Sequence, residues 1–290
     1  MSAQSTAPLS AASYRTLAVT PLTPAIGAEL SGVDLSSELS AEVIGEIRQA
    51  LLQYMVIFFR EQQLEPADLI AFAKRFGEIS FYPFVEGMRD YPEIVEVVKK
   101  EDETINFGGL WHTDTAYLEE PPLGSILYAV DVPPAGGDTL WSNMYLAYDA
   151  LSPTMKTLLE PLKAVNSAEK PDAAVTRVNR IADQPRDAAN IVTEAAHPIV
   201  RTHPETGRKA LYCSDAHVTH IEGMSVEESR PLLNYLYGVQ QRPEFACRFH
   251  WTPGSVAFWD NRCSQHNALN DYHGHRRVMQ RVTLAGDRPS

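Results

Sequence analysis

The strongest constraint on the fold is a series of short strand-like segments that fills the chain from about residue 107 onward. The segments are rich in β-branched and aromatic residues, and turn sequences such as Pro133-Pro134-Ala135-Gly136-Gly137 separate them. They comprise residues 125–130, 139–142, 245–251, 255–259 and 277–285. Helical patterns interrupt the series at 152–160 and behind a capping box, Ser225-x-x-Glu228. The pattern predicts a mainly β protein of the α+β class, a double-stranded β-helix (jelly roll) with helical insertions.

The N-terminal part mixes helix and strand signals. Ser40 is expected to cap a helix whose apolar positions recur at helical spacing over 43–51. The apolar run 55–59 suits a buried strand. Pro66 is expected to open a second helix, with Gly77 as a left-handed residue at its end.

The chain contains no internal repeat, no Gly/Ser linker and no clustered prolines that would divide it into two domains. A single domain over residues 16–290 is therefore expected, preceded by a flexible tail at 1–15. Residues 166–196 are polar, lack periodicity and exceed the usual loop length, which predicts an active-site lid.

Charge and cysteine content narrow the function classes. The 25 basic and 37 acidic residues give a net charge of −12, which argues against nucleic acid or an anionic membrane as a partner and favours a small molecule. No apolar run is long enough to span a bilayer and no secretory signal is visible, so a cytoplasmic location is expected. The three cysteines lack the spacing of a disulfide framework or thiolate zinc site.

His112 and Asp114 are two residues apart, which would place both side chains on one face of a strand. An imidazole and a carboxylate can supply two ligands to a divalent metal, and a distant histidine would complete the 2-His-1-carboxylate triad of non-haem Fe(II) oxygenases. A hydrogen-bonded His–Asp pair at the surface is the alternative. The pair alone does not decide between them.

The last predicted strand alternates in character. One face would carry Arg277, Met279, Arg281 and Thr283, and the other Val278, Val282 and Leu284. If the arginine face points inward, two anions must meet it, because buried unpaired guanidinium groups are strongly unfavourable. That arrangement predicts one acidic cosubstrate and one acidic substrate. The alternative is a solvated face with Arg281 paired to a surface acid.

At these residues the sequence resembles the Fe(II)/2-oxoglutarate-dependent taurine dioxygenase and 2,4-dichlorophenoxyacetate dioxygenase family. The similarity extends from about Thr16 to Pro289. The matching segments are 26–30, 32–35, 75–78, 111–114, 136–141, 197–204 and 259–281. The fold that the family implies is the same jelly roll.

The resemblance assigns roles to individual residues. The implied iron ligands are His112, Asp114 and His266. Arg277 would bind the distal carboxylate of 2-oxoglutarate with help from the Thr139 hydroxyl, and Arg281 would bind the anionic group of the substrate. His217 falls in a stretch similar to the wall of the substrate pocket and is a candidate for substrate contact.

Three positions depart from the taurine enzyme, which has His, Tyr and Asn where this chain has Tyr82, Val85 and Gly108. With Phe81 and Phe84, the first two could form an apolar wall, although these aromatics could equally be ordinary core. The changes favour a larger and more hydrophobic anion, such as a phenoxyalkanoate, an alkyl sulfate or a longer sulfonate.

The family's reaction consumes 2-oxoglutarate and O2 and yields succinate, CO2 and a hydroxylated substrate. If the hydroxylated carbon bears sulfonate, sulfate or aryloxy, the product is expected to release that group. The alternatives are taurine itself as substrate, a zinc-dependent hydrolase that uses the same three residues, and a non-enzymatic binding jelly roll. The resemblance also leads us to expect a homo-oligomer.

Overall fold

The computed structural model describes residues 14–183, 185–187 and 191–290. Its strands are β1 (Ala18–Pro21), β2 (Ala28–Ser31), β3 (Val56–Phe59), β4 (Ile79–Ser80), β5 (Val95–Lys99), β6 (Gly124–Asp131), β7 (Thr139–Asn143), β8 (Lys163–Ser167), β9 (Glu194–Pro198), β10 (Val200–Thr202), β11 (Lys209–Leu211), β12 (Val218–Ile221), β13 (Ala246–Phe249), β14 (Val256–Asp260), β15 (Ser264–Ala268) and β16 (Arg277–Leu284). Its helices are α1 (Ala41–Tyr54), α2 (Pro66–Lys74), α3 (Met144–Asp149), α4 (Pro153–Leu159), α5 (Pro171–Ala174), α6 (Val178–Asp183) and α7 (Val226–Gln240), with 3-10 turns at Val175–Arg177 and Pro243–Phe245.

The largest sheet has the strand order β1-β2-β3-β14-β6-β16-β4, and β5 also pairs with β16. Its pairs are antiparallel except for β2 with β3. A smaller antiparallel sheet has the order β13-β7-β15, and further pairings join β12-β8-β9 and β10-β11. The protein is therefore mainly β with helices added, as the sequence predicts.

Both faces of β16 are buried, and they meet different surroundings. Val282 and Leu284 belong to a hydrophobic cluster that includes residues of α1 and α2. Arg277 and Arg281, on the other face, line internal cavities. The alternation predicted from the sequence is confirmed, and the arginine face is the inward one.

Several helix boundaries also follow the predictions. The Ser40 side chain accepts a hydrogen bond from the backbone N–H of Val43 at the start of α1, and Ser225 and Glu228 form the capping box of α7. The expectation for Gly77 is wrong, because α2 ends at Lys74 and the glycine is not left-handed. The N–H groups of residues 75 and 76 bond to carbonyls three residues back, which completes the helix end without a left-handed residue.

The structure describes the expected tail and the expected lid to different extents. Residues 1–13 of the tail fall outside the described residues. The 166–196 segment is described except for 184 and 188–190, and it contains α5, the 3-10 turn Val175–Arg177, α6 and the start of β9. Within the described ranges, no helix has the length and apolar character needed to cross a bilayer.

A buried charge network fixes the turn between β14 and β15. Asp260 accepts two hydrogen bonds from the Arg262 guanidinium, at 2.9 and 2.7 Å, and its Oδ2 lies 3.0 Å from His203 Nε2. Arg262 also pairs with Glu205 at 2.8 Å. Burial alone would raise the pKa of Asp260, but Arg262 and His203 outweigh it and hold the pKa well below its usual range. Because β15 follows this turn directly, the network holds the strand that carries His266.

Replacing the guanidinium tests this network. We expect Arg262→Met to lower the free energy of unfolding by about 3–5 kcal/mol near neutral pH, because the buried Asp260 would lose its guanidinium partner and keep only His203. Urea unfolding followed by tryptophan fluorescence measures the change. Arg288→Met, which breaks an exposed pair with Glu119, is the control and should cost less than about 1 kcal/mol.

The same network predicts that the free energy of unfolding depends on pH. The folded-state pKa of Asp260 is depressed, so its contribution to stability is complete above the unfolded carboxyl pKa of about 4 and is lost as the pH falls toward the folded value. The difference in unfolding free energy between wild type and Arg262→Met should therefore shrink between pH 5 and pH 3. A difference that stays constant over this range would contradict the assignment.

Candidate active site

A backbone pair brings two of the predicted metal ligands together. The N–H of His112 donates to the carbonyl of His266 at 3.0 Å, and the N–H of His266 donates back at 2.9 Å. Residues paired in this way present their side chains on the same face, and the two imidazole centroids are 4.1 Å apart. The pairing joins the segment before β6 to β15.

The conditional prediction that His112 and Asp114 share a strand is wrong. Only His112 makes a bridge, and Asp114 lies in a turn that continues into Thr115, whose φ is 44°. The turn nevertheless returns the carboxylate to the two rings. Asp114 Oδ1 lies 3.5 Å from His112 Nε2 and 3.7 Å from His266 Nε2.

The three side chains are buried, and their ligand atoms lie within 4.8 Å of one another. His112 Nδ1 is 2.7 Å from the carbonyl of Leu110, so this nitrogen carries the proton that is donated and Nε2 keeps its lone pair. Ser125 Oγ, on β6, donates to Asp114 Oδ2 at 2.8 Å, which leaves Oδ1 turned toward the histidines. Ser125 thus orients the carboxylate.

Electrostatics keep this group in a metal-binding state. Burial lowers the pKa of His266 to about 3, so the ring is neutral near pH 7. Burial would raise the pKa of Asp114, but His266, His112 and Arg281 outweigh it and hold the pKa below its usual range. A carboxylate oxygen and two imidazole lone pairs then face one another, and a divalent transition metal is the partner that such a donor set fits.

One cavity runs from His112 and His266 to Arg277. Its walls are largely apolar, with Val97, Leu127 and Trp141 among them. Arg277 Nε and Nη2 are buried and have no hydrogen-bond partner among the described residues. Thr139 Oγ1 accepts a hydrogen bond from Trp251 Nε1 at 3.0 Å, so its own hydrogen is free to be donated into the cavity. This end fits a carboxylate.

Lys99 adds positive charge beside Arg277, because the two residues are directly opposite each other on β5 and β16. Its ammonium is buried 4.4 Å from the centre of the Tyr272 ring and has no hydrogen-bond partner in the described part of the chain. The sequence analysis assigned no role to it. The arginine end of the cavity is therefore more strongly cationic than expected.

A second cavity adjoins the first, and His112, Gly108 and Arg281 line both. Arg281 lies in its wall, 4.9 Å from the centre of the Tyr82 ring and 5.3 Å from that of Phe107. Asp114 Oδ1 lies 3.7 Å from Arg281 Nη1, and Arg281 Nε has no hydrogen-bond partner in the described residues. Because Asp114 belongs to the metal group, Arg281 retains charge for an anion in this cavity.

The structure brings most of the predicted substrate residues to this second cavity. Tyr82, His217 and Gly108 line it. Burial lowers the pKa of His217 to about 3, so the ring is neutral at pH 7. Gly108 also lines the first cavity, and it has a φ of +76°; a Cβ there would lie 3.1 Å from His112 Cε1. An asparagine at 108 would require His112 or the backbone to shift.

The expected apolar wall is only partly formed. Val85 is buried behind Tyr82, in a cluster with Val95, and does not belong to the cavity lining. Phe81 is 47% exposed and packs against Arg186. Phe84 packs against Tyr82 instead of lining the cavity. Tyr82 is therefore the one residue of this predicted group in the wall.

Sequence reasoning missed Ser125, Tyr117 and Arg177, although the first orients Asp114 and the other two line the second cavity. Ser125 is one of many strand serines and carries no signal of its own. Arg177 lies in the segment that the sequence predicts as a lid, so its nearness to the cavity could have been considered.

Comparison with known proteins agrees with this geometry. Residues 18–283 match the family model described as "Taurine catabolism dioxygenase TauD, TfdA family". The chain is 37% identical over 280 residues to an alpha-ketoglutarate-dependent sulfate ester dioxygenase of Pseudomonas putida, covering 94% of this chain and 91% of that protein. It is 38% identical over 271 residues to an alkylsulfatase of Acinetobacter baylyi, covering 92% and 84%.

Among solved structures, a putative alpha-ketoglutarate-dependent taurine dioxygenase from Burkholderia xenovorans superposes with a TM-score of 0.81. The two chains are 39% identical, and the match covers 94% of this chain and 91% of the other. The likeness thus extends over nearly the whole fold.

The contact between Ser125 and Asp114 gives a testable prediction. We expect Ser125→Ala to weaken metal affinity by about 10- to 100-fold, because the carboxylate loses the group that orients it. Calorimetric titration of the metal-free protein with Mn(II) measures the change. Ser229→Ala, which removes an equally buried hydroxyl from α7, is the control; the same loss in that variant would argue against a local role for Ser125.

Proposed function

This chain belongs to the taurine catabolism dioxygenase TauD, TfdA family and is a 2-oxoglutarate-dependent dioxygenase, and we propose that it uses Fe(II) to hydroxylate a C–H bond of a small organic anion. The substrate class that we propose is a sulfonate, an alkyl sulfate or a phenoxyalkanoate. The observation that carries the proposal is the meeting of two cavities at one buried His-Asp-His group, with Arg277 in the wall of the first and Arg281 in the walls of both.

We assign the metal to His112, Asp114 and His266, since their donor atoms suit a divalent transition metal. Bound Fe(II), together with O2 and 2-oxoglutarate, supplies oxidative decarboxylation to succinate and CO2 and the oxidising power for the C–H bond. Three protein ligands on one face leave coordination positions for the cosubstrate and O2.

Arg277 and Thr139 bind the distal carboxylate of 2-oxoglutarate in this proposal, because the buried arginine nitrogens lack partners and the hydroxyl hydrogen is free. Arg281 binds the substrate anion and so determines which carbon faces the metal. Tyr82 and His217 complete the wall and exclude water. Misplacement of the reacting carbon by about 1 Å can cost roughly 10²-fold in rate, so such positioning matters.

The choice of substrate follows from the cavity lining. Tyr82, Phe107 and Leu110 make it largely apolar, and Gly108 offers no side-chain hydrogen bond, which supports an anion larger than taurine. For an alkyl sulfate, hydroxylation at the carbon that bears the ester oxygen gives a product that collapses to an aldehyde and inorganic sulfate. The relative from Pseudomonas putida is named for sulfate esters, which agrees with this choice.

The zinc hydrolase alternative is weaker. A hydrolase needs an activated water at the triad, but it has no use for a separate cavity that ends in Arg277, Thr139 and a neighbouring lysine. The paired cavities favour a reaction with two organic partners.

We further propose that the eight-stranded sheet and the β13-β7-β15 sheet form the jelly roll of a single domain over residues 16–290, and that residues 166–196 act as its lid. Three residues of the segment, Ala173, Thr176 and Arg177, line the substrate cavity. Pro185 bridges to Val85, and the N–H of Arg186 donates to the carbonyl of Phe84, which ties the segment to the stretch that carries Tyr82. The homo-oligomer and the cytoplasmic location stay predictions.

The first test is anaerobic addition of Fe(II) and 2-oxoglutarate to the metal-free protein, followed by the visible charge-transfer absorption of the complex. We expect a band in the wild type and none in His112→Ala, and succinate formation once O2 and hexyl sulfate are supplied. Sulfate release with Zn(II) in the absence of O2 would instead favour the hydrolase.

Steady-state kinetics test the two anion sites separately. Arg277→Gln should raise the KM for 2-oxoglutarate, and Arg281→Gln should mainly raise the KM for hexyl sulfate, each by about 10- to 100-fold for the loss of a charged hydrogen bond. Exchanged effects would show that the two assignments are reversed.

A further inference from the structure

A second guanidinium besides that of Arg281 borders the substrate cavity. Arg177 lies at the end of the 3-10 turn Val175–Arg177 and is only 5% exposed, yet it belongs to the cavity lining. It arrives on the proposed lid, whereas Arg281 lies on β16 in the body of the protein. The cavity is therefore bordered by cations from two separate elements.

The contacts of Arg177 position it without neutralising it. Its Nη2 donates to the carbonyl of Ala168, and its Cζ lies 4.5 Å from the centre of the Phe84 ring. The carboxylate within ion-pair distance, among the described residues, is that of Glu169 at 3.6 Å. Glu169 is itself 73% exposed, so water screens this pair strongly. A buried cation with such a weak counter-charge favours an anion from the cavity.

Arg177 and Arg281 both influence the electrostatics of the same cavity. Burial raises the pKa of both Tyr82 and Tyr117, and each of the two arginines opposes that rise. Both tyrosines line the cavity. Its acidic lining residue is Asp114, which the metal group uses, so neither arginine has a carboxylate reserved for it there.

We propose that Arg177 binds the anionic group of the substrate together with Arg281 and thereby selects sulfates and sulfonates over carboxylates. The inference rests on the proposed function, because it needs a substrate anion in the second cavity. It adds a residue that decides between the substrate classes that the rest of the site leaves open.

The preference for sulfates and sulfonates over carboxylates follows from the number of terminal oxygens in each anionic group. A guanidinium fork binds two oxygens side by side, so Arg281 alone can satisfy both oxygens of a carboxylate. A sulfate ester or sulfonate has three terminal oxygens, and one of them stays without a charged donor unless a second cation reaches it. Arg177 is that donor. A carboxylate gains much less from it, because no oxygen is left to bind.

The location of Arg177 also links anion binding to the lid. Arg180, in the next turn, forms an ion pair with Glu103, and the N–H of Ser167 donates to the carbonyl of His217 at 2.8 Å, so the segment is anchored on both sides of Arg177. A substrate that engages both arginines connects this anchored segment to β16. A substrate that engages Arg281 alone does not.

The test is calorimetric titration of the anaerobic complex of protein, Fe(II) and 2-oxoglutarate with hexyl sulfate and with heptanoate. We expect Arg177→Gln to raise the Kd for hexyl sulfate by about 10- to 100-fold, the loss of a charged hydrogen bond, and to change the Kd for heptanoate less than about 3-fold. Arg177→Lys, which keeps the charge, should recover part of the loss.

Arg186→Gln is the matched control, because it removes the same charge from the same segment outside the cavity lining. It should leave both Kd values within about 2-fold of wild type. The affinity for 2-oxoglutarate should be unchanged in Arg177→Gln, and a loss of stability alone would weaken both probes alike, which separates anion recognition from a structural role.

Three results would overturn the inference: equal weakening of both probes in Arg177→Gln, an equal loss in Arg186→Gln, or wild-type protein that binds Fe(II) and 2-oxoglutarate but neither probe. Failure of the proposed function is distinguishable, since it would appear earlier as the absence of the Fe(II) and 2-oxoglutarate complex in wild-type protein.

Discussion

The site depends on the reciprocal backbone pair between His112 and His266. The two hydrogen bonds, of 3.0 and 2.9 Å, place both imidazoles on one face, although the two residues are 154 positions apart in the sequence. The turn after His112 then brings Asp114 to both rings. Both cavities border this group, because His112 lines each of them, with Asp114 in the wall of one and His266 in the wall of the other. Without this backbone pair the three proposed metal ligands would not meet, and anions bound at Arg277 or Arg281 would have no reacting centre beside them.

The placement of the charged residues also explains how the protein tolerates buried charge. Asp260 is neutralised within the protein by Arg262 and His203, and Glu205 completes that network. On the paired strands β5 and β16, Arg277 and Lys99 have buried nitrogens without hydrogen-bond partners among the described residues, and Arg281 has only Asp114, at 3.7 Å. Charges that hold the chain together are thus paired internally, and those that face the cavities are left for ligands. Burying an unpaired charge lowers the stability of a protein, so the difference between the two groups indicates which charged residues bind ligands.

Local patterns were sufficient to predict much of the architecture. Alternation along 277–284 predicted that the two faces of β16 differ in character, although it did not decide which face is inward. Side-chain caps at Ser40 and Ser225 predicted two helix starts, because these signals act over a few residues. The end of α2 was not predictable from Gly77, because 3-10 bonds closed the helix earlier. Val85, Ser125 and Arg177 depend on packing between distant segments, and a single sequence carries no direct record of that packing. The three proposed metal ligands could be assigned through resemblance, but the turn geometry at Asp114 could not.

The burial of both faces of β16 has a consequence for how such a protein can diversify. A shift of the strand by one residue would turn both guanidiniums toward α1 and α2 and bring valines into the cavities. Insertions or deletions within the strand are therefore incompatible with the site, and neighbours on β5 and β6 fix its register over most of its length. The helical segment around Arg177 has no comparable restraint, since it pairs with the body through a few side chains and isolated backbone bonds. New substrate ranges are accordingly expected to arise by exchange of this segment on an unchanged strand scaffold.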